Sequence, residues 1–446
     1  MLKRSILALI CVTLFLVGST AFAQKYGIYQ KKLANGLDVI VIQNPTVPLV
    51  TVEIDVHNGG YTESPEFNGL SHLYEHMFFK ANKSIATQER YLERLRELGA
   101  TWNGTTSDER VNYFFTLPKD SLVPALVFMY DAITGPLFKQ EELIKERPVV
   151  TGEYDRAESN PTFILNQAVD QKLWWKYPSR KNVMGSREII LTATTAKMQE
   201  IQDRYYLPNN ASLILSGDIT PDEGFRLAEK YFSSWKRGPD PFKEHPVPEH
   251  PPIQKTETVI VEKPVNAVTI MMKWEGPSVG KDPKATYAAD VLSFVLSQKT
   301  SRFYKDLVET GLAYGVNLNY QTLNHTGPIV LFAQTSADKF GACRKAIMDE
   351  LKTMASADYF TDDQLESAKT ILAIDEQYGR ERPSVYCHTV GYWWAIAGLD
   401  YYLGYVDNLN KVSRKDIAQY LNTYVTDKPY IMGVLVSPEA RKTIGL

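Results

Sequence analysis

Seven histidines are spread over 446 residues, and two of them stand four apart with a glutamate between them, in His72-Leu73-Tyr74-Glu75-His76. On a helix, residues at i and i+4 lie one above the other, so this spacing aims two imidazoles at one point and sets Glu75 beside them. Two neutral nitrogen donors, a third protein ligand from elsewhere and a fourth position open to water make the donor set of a catalytic zinc. Such a metal lowers the pKa of its bound water toward about 7, and a carboxylate beside it takes the proton as the water attacks a carbonyl. The same two histidines could serve only packing or a polar surface. Their scarcity and the intervening glutamate weigh against that reading.

A site of this kind works only if other elements hold the helix. Asn68 is placed to cap a helix carrying Leu70 to Phe78, and Thr87 to cap another whose Tyr91, Leu92, Leu95 and Leu98 face inward before Gly99. Ahead of them, Leu37 to Ile42 follows an Asn35-Gly36 turn, and Val50, Val52, Ile54 and Val56 alternate with Thr51, Glu53 and Asp55. Period two on both sides of a turn predicts strands, and strands followed by runs of helices predict an α+β domain.

The length asks for more than one such domain, because a single core stops growing near about 250–300 residues. Pro239, Pro241, Pro246, Pro248, Pro251 and Pro252 predict a stiff spacer over 238–254, separating a domain 24–237 from a domain 255–446. The two sides echo each other. Val50-Thr51-Val52 leading to Gly59 and a helix is matched by Val268-Thr269-Ile270 leading to Gly276 and a helix, and Tyr205 before Leu213–Leu215 by Tyr424 before Ile431–Val436. The offset is the same to within one residue, which predicts two homologous α+β domains, each a mainly antiparallel sheet covered by helices; chance likeness of strand-helix patterns is the alternative. At that offset Asp290, Ser293 and Phe294 stand where the first copy has His72, Glu75 and His76. Only the first copy has ligands for a metal.

Hydrophobic residues at 44% and charged residues at 23% suit a chain folded in water, not a disordered or multi-span membrane chain. With 49 Lys and Arg against 52 Asp and Glu, there is no field of one sign to hold nucleic acid or an anionic membrane. Met1 to Ala23 reads as a secretory signal peptide, with Lys3 and Arg4, an apolar run Ile6 to Val17, and Ala21-Phe22-Ala23 before the cut. That run is too short for a stable span, so the chain is expected to be exported, in a bacterium to the periplasm. Cys343 and Cys387 remain after cleavage, either paired or as two buried thiols.

Together these features resemble the pitrilysin/insulinase family of inverted-zincin metallopeptidases, in its short two-domain bacterial type, similar also to mitochondrial processing peptidase subunits. The resemblance implies one zinc per chain and supplies its third ligand. A glutamate about 77 residues after the second histidine, in a helix of the form E-R-x-V-V-x-x-E, is matched by Glu153 in Glu146-Arg147-Pro148-Val149-Val150-Thr151-Gly152-Glu153. Glu146 is implied as a supporting carboxylate, with Pro148 threatening a bend between the two. Gly99 to Thr106 resembles the family's edge strand, where Ala100 and Asn103 would meet an extended peptide; Asn103-Gly104 is equally a hairpin-turn pair. Ser301 to Tyr314 resembles the segment that lends an arginine and a tyrosine to substrate. Tyr314 is present, but Leu307 stands at the arginine's place, and Arg302 reads as a helix-surface charge. The implied function is a zinc endopeptidase acting on oligopeptides or unfolded segments, with Glu75 as general base and a related subunit, or a second copy, as partner. A non-catalytic assembly subunit or a peptide-binding module are the other readings.

Overall fold

The computed structural model describes residues 25–445. The expected signal segment 1–23 lies outside the described residues. Strands form on both sides of the Asn35-Gly36 turn: β1 (Ile28–Lys32) pairs antiparallel with β2 (Asp38–Gln43). Gly36 sits at φ 96°, a backbone conformation that favours glycine. Asn35 locks the turn by donating to the carbonyls of Phe232 and Trp235. With β3 (Leu49–Val56), β4 (Thr101–Thr106), β5 (Val111–Pro118) and β6 (Ala211–Gly217) they make one sheet in the order β1-β2-β6-β3-β5-β4. Every neighbour is antiparallel except β2 and β6.

A second sheet follows the proline-rich segment, which holds one short helix, Pro241–Glu244. It contains β7 (Glu257–Glu262), β8 (Val268–Glu275), β9 (Gly315–Tyr320), β10 (Pro328–Thr335) and β11 (Ile431–Val436), in the order β7-β11-β8-β10-β9. The only parallel pair among these is β7 with β11. Replacing each strand by its partner in the repeat turns β2-β6-β3-β5-β4 into β7-β11-β8-β10-β9, so the internal echo of the sequence is an echo of topology. The chain is a two-domain α+β fold.

On one face the first sheet is covered by α1 (Leu70–Phe78), α2 (Gln88–Glu97) and α3 (Leu122–Thr134), which share a core with β3 and β5. Thr87 caps α2 as expected, accepting from the Arg90 amide, and Tyr91 and Leu95 are buried. The other face is covered as well. Thr51, Glu53 and Asp55 are as buried as the valines between them. Their cover is a helix from the far end of the chain, Pro383–Ala397, which packs on β3 and β6 and places Tyr386, Val390 and Trp394 against Ile40, Ile42 and Ile214.

The exchange is mutual. After α4 (Gln140–Glu158), helix α5 (Pro161–Leu173) crosses to the second sheet and packs Leu165, Val169 and Leu173 on Met271, Ile431 and Leu435. Both contacts use a glycine for close approach: a Cβ on Gly433 would lie 2.4 Å from Val169 Cγ2, and one on Gly391 2.5 Å from Asp55 Oδ2. Each fully buried aliphatic side chain at these faces contributes about 1.5–3 kcal/mol, so neither half's sheet is closed without the other. Cys343 and Cys387 fall in different clusters and are free buried thiols. Among the described residues no helix is long and apolar enough to cross a membrane.

Candidate metal centre

Leu70, Leu73, Tyr74, Met77 and Phe78 bury one side of α1 and leave His72, Glu75 and His76 on the other, partly buried. The cap is not Asn68. Gly69 takes the capping position at φ 90°, and the Glu63 carboxylate accepts from the amides of Gly69 and Ser71, each at 2.7 Å. Asn68 instead donates to the carbonyls of Ser179 and Asn182, both at 2.9 Å, pinning the loop before the helix. A carboxylate at a helix N-terminus does what an Asn cap would, from six residues upstream, and burial pushes its pKa up to about 7 against those hydrogen bonds.

Helix α4 lies against α1 and brings both glutamates of the implied set. Pro148 sits inside it without ending it, and the expected bend does not part Glu146 from Glu153. His72 Nε2 and His76 Nε2 are 3.3 Å apart, and Glu153 Oε2 is 3.5 Å from the first and 3.7 Å from the second. Ligand bonds of about 2.0–2.1 Å in a tetrahedron put donor atoms roughly 3.3–3.4 Å apart, so this triangle fits three corners of a zinc site. The fourth corner has no protein donor in the group.

Burial, and then the neighbouring His76, push the His72 pKa down to about 4, which keeps that ring neutral and able to ligate. Burial acts the same way on His76, but the hydrogen bond to Glu146 and the carboxylates of Glu153 and Glu75 outweigh it and raise its pKa. Glu146 Oε1 lies 2.8 Å from His76 Nδ1, while its other oxygen pairs with Lys80. A carboxylate on the outer nitrogen fixes a ligating imidazole's tautomer and orientation. Burial raises the Glu75 pKa, against a hydrogen bond of 2.6 Å donated by Thr106.

Thr106 belongs to β4, which runs past the centre as the outermost strand with β5 as its sole neighbour. Trp102, Gly104 and Thr106 point toward α1; Trp102 meets Phe79 at 4.6 Å between ring centroids, and a Cβ on Gly104 would lie 2.9 Å from Glu75 Cγ. Asn103, expected either in a turn or on an edge strand, lies within β4 opposite Phe114, exposed on the face away from α1. Neither Gly104 nor Thr106 was singled out in the sequence, although a glycine inside a strand is itself a signal of close approach. Gly104→Ala is expected to push Glu75 aside and lower kcat about 10²-fold, with metal content unchanged, since a misplacement near 1 Å costs roughly that much. A kcat within a factor of two of the parent would show that Glu75 tolerates the displacement.

The remaining expected contacts are not assembled here. Ala100 precedes β4, in the turn after α2, and its amide is spent on the Leu95 carbonyl at 3.0 Å. That corrects the expectation that the Gly99-Ala100 pair lies in the edge strand. Tyr314 stands just before β9, 64% exposed. Leu307 is fully buried in the second half's core on a single π-helical turn, Lys305–Glu309, so no cation occupies that position. Arg302 pairs with Asp306 and Glu350, both at 3.3 Å, as the surface charge it was expected to be.

Comparison with known proteins bears on the same two halves. Residues 38–187 match the family model described as insulinase (peptidase family M16), and residues 192–372 the one described as the peptidase M16 inactive domain. An uncharacterised zinc protease of Rickettsia felis is 25% identical over 370 residues, 82% of this chain and 87% of that protein. A protease from Helicobacter pylori has the same fold, with TM-score 0.80 at 22% identity over 92% of this chain and 99% of its own. The periplasmic protease PqqL from Escherichia coli matches with TM-score 0.77 at 18% identity over 94% of this chain but 49% of its own, so this chain spans about half of that neighbour. Two adjoining M16 models, a zinc protease relative matched over most of both lengths and a doubled α+β fold place the chain in the M16 family of insulinase and pitrilysin, in its short two-domain form.

Proposed function

We propose that this chain is an exported zinc endopeptidase, periplasmic in a bacterium, that cleaves oligopeptides or unfolded segments bound as an added strand on β4. The observation that carries the reading is the donor triangle of His72, His76 and Glu153, with Glu75 beside it and an unpaired sheet edge alongside. Zinc held there would supply a Lewis acid and a water acidified toward neutral pH. Glu146 orients His76 for ligation, and Thr106 and Gly104 hold Glu75 between the donor triangle and the strand edge. From that place Glu75 accepts the water's proton and returns it to the leaving amine nitrogen. The β4 edge supplies main-chain donors and acceptors to any extended peptide, which gives affinity with little sequence preference. Asn103 adds an amide on the exposed face of that edge.

The second half lends no cation at Leu307, and Tyr314 alone offers one hydroxyl. Full activity in this reading therefore needs a second, homologous unit carrying the missing donor; the E. coli neighbour, twice as long as this chain, supports such pairing. The test is to measure hydrolysis of a mixed peptide pool by the lone chain with zinc, then with a chelator, then with co-purified partners restored. Expected is weak, chelator-sensitive turnover by the lone chain that rises at least tenfold with the partner. Chelator-resistant hydrolysis would remove the zinc mechanism, and robust turnover at nanomolar concentration without any partner would remove the second unit.

A further inference from the structure

Glu53 and Asp55 stand two apart on β3, so both side chains leave the sheet on the face closed by the helix Pro383–Ala397. Both are 0% exposed, beside an apolar interface cluster that includes Ile40, Ile42, Ile214, Tyr386, Val390 and Trp394. Buried carboxylates persist in such a place only when paired and hydrogen-bonded. Here the pairing comes from two directions. Arg110 Nη1 lies 3.2 Å from Asp55 Oδ1 and 3.9 Å from Glu53 Oε1, and it also donates to the His388 carbonyl at 2.9 Å. His388, on the incoming helix, sets Nδ1 2.5 Å from Glu53 Oε2.

From Glu53 the contacts continue outward to the strand edge. Asn112 on β5 donates to Glu53 Oε1 at 2.6 Å, and its own carbonyl oxygen accepts from the Thr105 hydroxyl on β4. A second route runs beside the first, because the His388 ring packs on Phe114 at 4.1 Å between centroids and Phe114 is the cross-strand partner of Asn103. Thus Asn103 and Thr105 on the exposed face of β4 are both backed by a histidine from the other half of the chain, Asn103 through Phe114 of β5 and Thr105 through Asn112 of β5 and then Glu53 of β3. The opposite face of the same short strand carries Gly104 and Thr106 against Glu75. An edge strand with one neighbour is the least supported strand of its sheet, so its register over Glu75 depends on what holds it from behind.

We propose that His388 is a positioning residue for the peptide-binding edge, acting through Glu53, Asn112 and Thr105 and through Phe114 to hold β4 in register beside Glu75. The half without metal ligands thereby sets the geometry of the edge in the half that has them. The peptide as occupant of that edge rests on the proposed peptidase reading; the support of β4 by His388 does not.

The experiment compares His388→Leu, His388→Gln, Thr105→Val and the pair Glu53→Gln/His388→Leu in the full chain. Amide hydrogen exchange across 101–106 is read against β1 and β2, with zinc content, kcat and KM on an extended peptide. His388→Leu should speed exchange in β4 about tenfold or more relative to β1, the scale of a lost hydrogen bond to a charged group. It should raise KM by a similar factor with zinc content unchanged and kcat within about threefold. His388→Gln, which keeps a donor, should restore most of both, and the pair should recover only in part, because Glu53→Gln removes the stranded charge but does not replace the ring on Phe114. Thr105→Val, at the exposed end of the route, tests the same link in a chain whose buried charges are intact and should also loosen β4. Unchanged β4 exchange in Thr105→Val and His388→Leu, or a rise shared equally by all strands, would overturn the proposal. Absence of peptide turnover in the parent chain would count against the peptidase reading alone, because the exchange measurement still decides the role of His388.

Discussion

Glu75→Gln is expected to retain one equivalent of zinc and to lose peptide hydrolysis by about 10²–10⁴-fold, the range that a positioned general base contributes. The amide keeps the shape of the carboxylate and can still accept from Thr106, which now donates at 2.6 Å, so α1 and β4 should stay in place. What it loses is the capacity to take a proton from the attacking water. The three donor atoms belong to His72, His76 and Glu153, none of which the substitution touches. The comparison therefore separates base from ligand: metal content by atomic absorption should equal that of the parent while kcat collapses and KM changes little. Near-parental turnover with zinc bound would show that the proton goes elsewhere.

The second large effect concerns Glu153→Ala. Removing it leaves two imidazole nitrogens 3.3 Å apart and two open corners in place of one. Zinc should then be lost on dialysis against weak chelator, to less than about a tenth of an equivalent, and hydrolysis should fall to background. Glu146→Gln makes the informative contrast, since that residue lies behind His76 and outside the donor triangle. Loss of such an outer partner costs about 10–100-fold in metal affinity and leaves a site that loads at higher zinc concentration. Full zinc occupancy in Glu153→Ala at nanomolar free metal would mean that another residue is the third ligand.

Much of this centre is local, and local features are legible in a chain. The i, i+4 pair His72 and His76 needs nothing but a helix, and the apolar spacing of Leu70, Leu73, Tyr74, Met77 and Phe78 provides one. The duplication was equally legible, because two copies of one topology must repeat their strand-forming stretches at one offset, as β3 and β8 do. The bare sequence could not choose Glu153 among many glutamates. Its place was implied by family resemblance, and only the packing of α4 on α1 brings its carboxylate within 3.7 Å of both imidazole nitrogens. Glu63 in the capping role assigned to Asn68 is of the same kind, since a cap taken from six residues away depends on the path of the loop.

What the chain alone left undecided is plainest at β3. Alternation of Val50, Val52, Ile54 and Val56 with Thr51, Glu53 and Asp55 has one meaning in isolation: an apolar face inward and a polar face in water. Tertiary structure decides the polar face differently, by carrying the helix Pro383–Ala397 across from the other half, together with His388 to pair with Glu53. Period two tells which residues share a face, and it did so correctly here. What covers that face is a contact between residues more than 300 positions apart, and such contacts are settled by the energetics of closing two sheets at once rather than by any pattern along the chain.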